Sequence, residues 1–258
     1  MRPLEGKRAL VTGAAGGLGR AITAALAAQG ASVMMTDLVV ADAFEVDRRA
    51  LEASTGGSIA YRHADLANAA DITTLMQSAG AVDILVNNAV TRHFGLVETL
   101  HPSDWDADIA VNLTACFHTI RHVLPGMKQR DWGRIINVSS IYGLIGGTER
   151  AGYVTTKHAL IGLTKAVALE CARTPVTCNA LCPGSTLTPA IADRIEAQVK
   201  RGPDAREAVL DKFWSERQPT RRFIEQEKVA ALAAFLCGPA GDDITGAALP
   251  MDGAWSAM

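Results

Sequence analysis

The chain has 258 residues, 48% of them hydrophobic, and a formal net charge of −2 from 25 Lys and Arg against 27 Asp and Glu. That balance offers no general attraction to nucleic acid or to an anionic membrane, and the size and apolar content suit one large α/β domain spanning 1–258. No apolar run approaches the roughly 18 residues of a membrane span and no secretory leader pattern opens the chain, so a cytoplasmic protein is expected. The cysteines, Cys116, Cys171, Cys178, Cys182 and Cys237, form no CxxC pair and read as reduced, mostly buried thiols. The histidines show no metal-ligand spacing, and no metal is expected.

Residues 8–12 (RALVT) read as a short apolar strand, followed directly by the glycine turn GAAGGLG at 13–19 and an Ala-rich helix over 20–29 that stops at Gly30. Strand, glycine turn and helix together form the context of a dinucleotide site: glycines allow close backbone approach, and a helix N-terminus offers free N–H groups to a pyrophosphate. A second strand, 32–36, ends at Asp37. A carboxylate there accepts hydrogen bonds from both ribose hydroxyls of NAD and repels the 2′-phosphate of NADP, and no basic side chain stands at Ala14, Ala15, Gly16 or Leu38 to hold that phosphate. NAD is therefore expected.

Further strands are expected at 58–63, 83–86, 134–138, 177–182 and 247–250, alternating with helices. Their nearly continuous apolar character suits parallel strands covered on both faces, and right-handed crossovers then give a doubly wound Rossmann sheet. The polar stretch 190–222 reads as helical cover over the site; a solvated helical face without a role is the competing reading of its charges.

The most informative stretch is 139–157, SSIYGLIGGTERAGYVTTK. Tyr153 and Lys157 are four apart, one turn on the same helix face, where an ammonium favours the phenolate over the phenol. Ser140 follows the apolar strand, so its hydroxyl lies at a strand end. The three form an acid/base apparatus for a substrate oxygen. Ser139 remains an alternative to Ser140.

These motifs converge on one family. TGAAGGLG (12–19), Asp37, Asp65 with Leu66, NNAV (87–90), Asn112, Ser140, Tyr153, Lys157, and Cys182-Pro183-Gly184 with Thr188 resemble the short-chain dehydrogenases/reductases over essentially the full length. The resemblance implies cofactor contacts from Gly13, Gly17, Leu18, Gly19, Asp37, Asp65, Leu66, Asn87, Ala89, Tyr153, Lys157, Pro183, Gly184 and Thr188. It implies that Tyr153 takes the hydroxyl proton during alcohol oxidation and that Ser140 fixes the substrate oxygen. Lys157 then lowers the tyrosine pKa and binds the nicotinamide ribose, while Asn112 holds a proton-relaying water. Two features depart from the pattern: Val90 replaces the usual glycine, and the segment between Asp65 and Asp83 is short.

Within the family the chain is most similar to the D-3-hydroxybutyrate dehydrogenases, through 132–147, 176–184, the SERQP segment at 215–219 and the tail MDGAWSAM. The pocket residues differ. Tyr142 stands for a histidine, Arg150 for a lysine, Ser185 for a tryptophan, and Arg92 and Arg194 for two glutamines. With Ser140 and Tyr153, these five make up the expected substrate-binding set. Arginine's planar fork binds carboxylate or sulfonate with paired hydrogen bonds. The expected substrate is a secondary alcohol or ketone bearing such an anion, larger or more charged than 3-hydroxybutyrate. The competing reading pairs these arginines with Glu149, Asp193 or Glu196 at the surface.

Two other functions remain open: a D-3-hydroxybutyrate dehydrogenase proper with a rewired carboxylate grip, and a catalytically idle NAD-binding regulatory protein. The second leaves the joint presence of Asn112, Ser140, Tyr153 and Lys157 without a reason. The helix 153–172 is apolar nearly all round, more than one sheet face covers. The family resemblance pairs it, with the helix 104–129, across a two-fold axis, which implies a homotetramer or a homodimer.

Overall fold

Seven strands, β1 (Arg8–Thr12), β2 (Ser32–Asp37), β3 (Ile59–His63), β4 (Ile84–Asn87), β5 (Gly133–Val138), β6 (Val176–Pro183) and β7 (Ala248–Met251), form one parallel sheet in the order β3-β2-β1-β4-β5-β6-β7. This arrangement comes from a computed structural model that describes residues 2–187, 189–201, 206–215 and 217–258, with the backbone alone at Pro189, Ala190, Arg194 and Arg201. Every predicted strand is present, with ends shifted by a residue or so. The sheet and its helices are the single-domain α/β fold expected from the sequence.

The pleat divides the apolar strand residues between two cores. Val11, Val33, Met35, Ile84, Val86 and Ile136 face α1 (Gly17–Ala28), α2 (Ala41–Thr55) and α9 (Gln226–Cys237). Leu10, Leu85, Ile135, Val176 and Cys178 face α3 (Ala69–Ala79), α5 (Ala115–Gln129) and α6 (Ala151–Glu170). Neighbouring residues of one strand feed opposite cores because successive side chains leave opposite faces of the sheet. Strand order reverses beside β1, where β1 lies between β2 and β4, and a crevice opens there at the carboxyl ends of the strands.

Two expectations need correction. The predicted helix over 104–129 is two α-helices, α4 (Pro102–Ile109) and α5, joined by a five-residue π-helical segment, Ala110–Thr114, that contains Asn112. Such widened turns insert an extra residue per turn and occur often at functional sites. Among its described residues, the polar stretch 190–222 is helical in α7 (Pro189–Arg201) and α8 (Arg206–Trp214). The described residues between α8 and α9 form turns and irregular structure, with Gln218 fully buried and Ile224 bridged to Thr186.

Among the described residues, no helix is long and apolar enough to cross a membrane, and no group of three His, Cys, Asp or Glu is placed to hold a metal ion. All five cysteines are free and buried.

Candidate active site

A cavity of about 490 Å³ occupies the crevice, and most of the predicted cofactor residues meet in its wall. Its floor is the turn after β1. Gly13 has φ +60°, and a Cβ there would lie 2.6 Å from the Ala89 Cα, so only glycine fits. At Gly19 a Cβ would lie 2.6 Å from the Ala14 Cα. The turn is pinned by Asn88, whose amide donates to the carbonyls of Thr12 (3.0 Å) and Gly13 (2.9 Å). The Thr12 hydroxyl oxygen in turn accepts the N–H groups of Asn88 (2.9 Å) and Ala89 (3.1 Å). No side chain caps α1 among the described residues, so its first N–H groups remain open to an anion.

Asp37 ends β2 at the rim of this cradle. One carboxylate oxygen accepts the Ala15 N–H (3.0 Å) and the other accepts the Leu38 N–H (2.8 Å), which fixes the carboxylate against the glycine turn. Asp65 and Leu66, from the turn after β3, line the same end, with Gly17 and Leu18. The donor set, the closed glycine contacts and the free helix N-terminus fit a dinucleotide cofactor.

Asn87 stands elsewhere. Its amide donates to the Asn137 side-chain oxygen (2.9 Å) and its oxygen accepts the Thr119 hydroxyl (2.8 Å), in a buried network between the sheet and α5. Asn88, its neighbour in the same motif, lines the cavity instead. The pleat decides which asparagine faces which way, and two adjacent asparagines give no sequence signal of that parity.

At the opposite end of the cavity stand Ser140, Tyr153 and Lys157, with Pro183 and Gly184 at the end of β6. Ser139 donates its hydroxyl to the Lys157 carbonyl (2.9 Å), which ties β5 to α6 and leaves Ser140 as the serine hydroxyl beside the phenol. The Ser140 oxygen accepts the Tyr142 N–H (3.2 Å). Lys157 is 2% exposed and donates to the Val138 carbonyl (2.7 Å), with its ammonium 5.6 Å from the Tyr153 ring centroid. Burial acts to raise the Tyr153 pKa, but the Arg92 and Lys157 cations, the Ser140 hydroxyl and Arg150 outweigh it and hold the phenol below the ordinary tyrosine value. Burial chiefly lowers the Lys157 pKa, against the attraction of Tyr153.

Asn112 does not point its amide into the cavity. The side-chain oxygen accepts the Thr91 N–H (2.9 Å), and its nitrogen donates to the Thr91 carbonyl (3.0 Å) and the Thr156 hydroxyl (3.3 Å). Thr91, unnoticed in the sequence, thereby becomes the residue that anchors the cavity wall carrying Arg92.

The Arg92 guanidinium lies 5.0 Å from the Tyr153 ring centroid. Arg150 lies over Tyr142 (4.5 Å) and beside Phe94 (5.6 Å), and donates to the Thr148 carbonyl (2.9 Å). Among the described residues no acid pairs with either arginine, and Glu196 pairs with Arg206. Tyr142 stacks edge-on between Tyr153 (6.3 Å) and Trp255 (5.4 Å). Arg92 and Val90 line the cavity wall, while Tyr142, Arg150 and Ser185 stand outside it. The Ser185 N–H donates to the Gln218 side chain (2.8 Å). Thr188 and the Arg194 side chain lie outside the described residues.

A doubly wound sheet with a glycine cradle at its switch point and a serine, tyrosine and lysine at the strand ends defines a nicotinamide-dependent oxidoreductase acting on CH–OH groups. The chain belongs to the short-chain dehydrogenase family, which matches residues 7–199. It is 44% identical to the D-beta-hydroxybutyrate dehydrogenase of Cupriavidus necator, covering 99% of this chain and 100% of that one. It is 38% identical to the D-beta-hydroxybutyrate dehydrogenase of Rhizobium meliloti, covering 98% and 99% of the two chains. Among solved structures, the L-sorbose reductase of Gluconobacter frateurii, complexed with NADPH and L-sorbose, superposes with a TM-score of 0.91 at 28% identity, over 98% of each chain.

Proposed function

We propose that the protein is an NAD-dependent dehydrogenase that interconverts a secondary alcohol and a ketone on a substrate bearing a carboxylate or sulfonate. The observation that carries this reading is Arg92, a guanidinium in the cavity wall beside Tyr153 with no acidic partner among the described residues. An unpaired guanidinium beside the proton-transferring group is suited to hold an anionic substrate through paired hydrogen bonds. Arg150 stands within reach as a second cation, and Arg194 is proposed as a third.

In alcohol oxidation the Tyr153 phenolate removes the hydroxyl proton while the Ser140 hydroxyl donates to the same oxygen and orients it. Lys157 keeps the tyrosine in its basic form. The nicotinamide, when bound, supplies the hydride acceptor. Gly13, Gly17, Leu18, Gly19, Asp65, Leu66, Ala89, Pro183, Gly184 and Thr188 are proposed to hold the cofactor, with Asn88 taking the place first given to Asn87. Asp37 supports NAD over NADP, because a fixed carboxylate at the end of β2 repels a 2′-phosphate. A water relay at Asn112 would use its backbone, loosened in the π segment, since the amide is engaged by Thr91 and Thr156.

The identity to the Cupriavidus protein favours a second reading, a D-3-hydroxybutyrate dehydrogenase whose carboxylate grip has changed. NADH formation by the purified protein on a panel of hydroxy acids, cyclic hydroxy acids, hydroxysulfonates and D-3-hydroxybutyrate separates the two. Turnover confined to the bulkier or sulfonated alcohols supports the first reading; strong turnover of D-3-hydroxybutyrate supports the second. A cytoplasmic homotetramer formed through α5 and α6 completes the proposal, supported by the exposed Phe117 and Leu169 on those helices. A monomer mass in light scattering would contradict that assembly.

A further inference from the structure

Asp108, near the end of α4, is 0% exposed and is used by neither the cofactor nor the catalytic set. One of its carboxylate oxygens accepts the Thr91 hydroxyl (2.9 Å) and also contacts His93 Nδ1 (2.9 Å). A carboxylate can only accept, so the imidazole Nδ1 carries the proton and donates. The other oxygen is buried without a hydrogen-bond partner among the described residues. It faces the first turn of α6, where a Cβ on Gly152 would lie 2.6 Å from it. Helix α6 has no acidic residue in its first turn and no side-chain cap hydrogen bond, so Asp108 supplies from α4 the negative charge that its N-terminus lacks.

Thr91 and His93 are the two neighbours of Arg92. Asn112 holds the Thr91 backbone at both its N–H and its carbonyl, and Asp108 holds the side chains on either side of Arg92. Gly152, against which Asp108 rests, directly precedes Tyr153. The loop carrying the cation and the helix carrying the phenol are therefore fastened to one buried carboxylate.

We infer that Asp108 and His93 form a clasp that positions Arg92 over Tyr153, and that both are positioning residues for the reaction. This rests on the reading of Arg92 as a functional cation, but not on the charge of the substrate. His93 is the accessible half of the clasp: its side chain is 32% exposed, and its Nε2 faces Asp104 at 3.8 Å. Arg92 is also the largest of the influences that lower the Tyr153 pKa. A loosened clasp therefore lets that pKa rise.

The experiment is a pH titration of tyrosinate absorbance, with the Tyr153→Phe variant as blank. The chain has only three tyrosines, so the difference isolates one phenol without any substrate. Arg92→Gln is expected to raise the Tyr153 midpoint by about one pH unit, as the loss of a neighbouring cation does. His93→Ala should raise it by roughly half that amount, and His93→Asn, which restores a donor near the Nδ1 position, should return it toward wild type. A His93→Ala midpoint equal to wild type, or equal shifts for His93→Ala and His93→Asn, overturns the clasp, as does an unmoved midpoint in Arg92→Gln. Thermal melts of each variant separate a general loss of fold from the shift. The hydroxy-acid panel tests the substrate reading independently.

Discussion

Ser139 donates its hydroxyl to the backbone carbonyl of Lys157 at 2.9 Å, so the end of β5 is bolted to the helix that carries Tyr153. This bond gives the two adjacent serines different work. Ser139 is a structural tie, and Ser140 is the hydroxyl left beside Tyr153. Replacing Ser140 with Ala should lower kcat by roughly 100-fold or more, the scale of a lost donor to developing oxyanion charge. Ser139→Ala should instead cost about 1 kcal/mol of stability and keep most of the activity. Equal kinetic losses in steady-state assays of the two variants would contradict this division.

Tyr153→Phe should abolish NADH formation while cofactor binding, followed by quenching of intrinsic fluorescence, persists. A protein whose role was only to bind the cofactor would show no such dependence on one phenol oxygen.

The rate of alcohol oxidation should rise with pH as Tyr153 ionises. Its pKa lies below the ordinary tyrosine value, so the rising limb falls below about pH 10. Lys157→Met removes one of the cations that lower this pKa. The limb should move to higher pH, and activity at neutral pH should fall accordingly. A limb that stays in place when kcat/KM is measured across pH would exclude Lys157 as a tuning group.

Asp37→Ala should relax the choice of cofactor toward NADP. The same carboxylate accepts the Ala15 N–H, so the KM for NAD should rise in the same variant. Coenzyme KM values measured for both dinucleotides test the two effects together.

Gly13→Ala should be the most damaging change in the cradle. Its φ of +60° is unfavourable for any L side chain, and the added methyl would collide with the Ala89 backbone. Loss of NAD affinity by calorimetry, with a lowered Tm, is the expected result.

The sheet was legible because apolar runs of strand length alternate with helical patterns from Arg8 to Met251, and parallel strands advertise themselves by being apolar on both faces. The cradle and the Tyr153–Lys157 pair were legible because glycine and helical spacing carry direct geometric meaning. What escaped the sequence has physical causes. Asn87 and Asn88 differ only in pleat parity. The π segment leaves hydrophobic periodicity nearly intact over a single turn. The turns after Trp214 are held by Gln218 of the SERQP segment, whose buried amide accepts the Ser185 N–H and donates to the Arg222 carbonyl, contacts that the segment itself does not announce. Asp108 carries no motif and no spacing that marks it in the sequence; packing alone puts it at 0% exposure.

The π segment at Ala110–Thr114 also constrains how this chain can change in length. Deleting one residue there would take out the extra residue that the widened turn absorbs and restore regular pitch, with the two flanking helices close to their present register. Asp108 on one side and Cys116 and Thr119 on the other would keep their faces, and the loosened backbone around Asn112 would be lost. A single-codon deletion in this stretch would therefore leave the sheet standing and remove the irregular backbone that Asn112 places beside Thr91. Loops such as the one around Gly56, where added side chains meet open space, are free of that coupling.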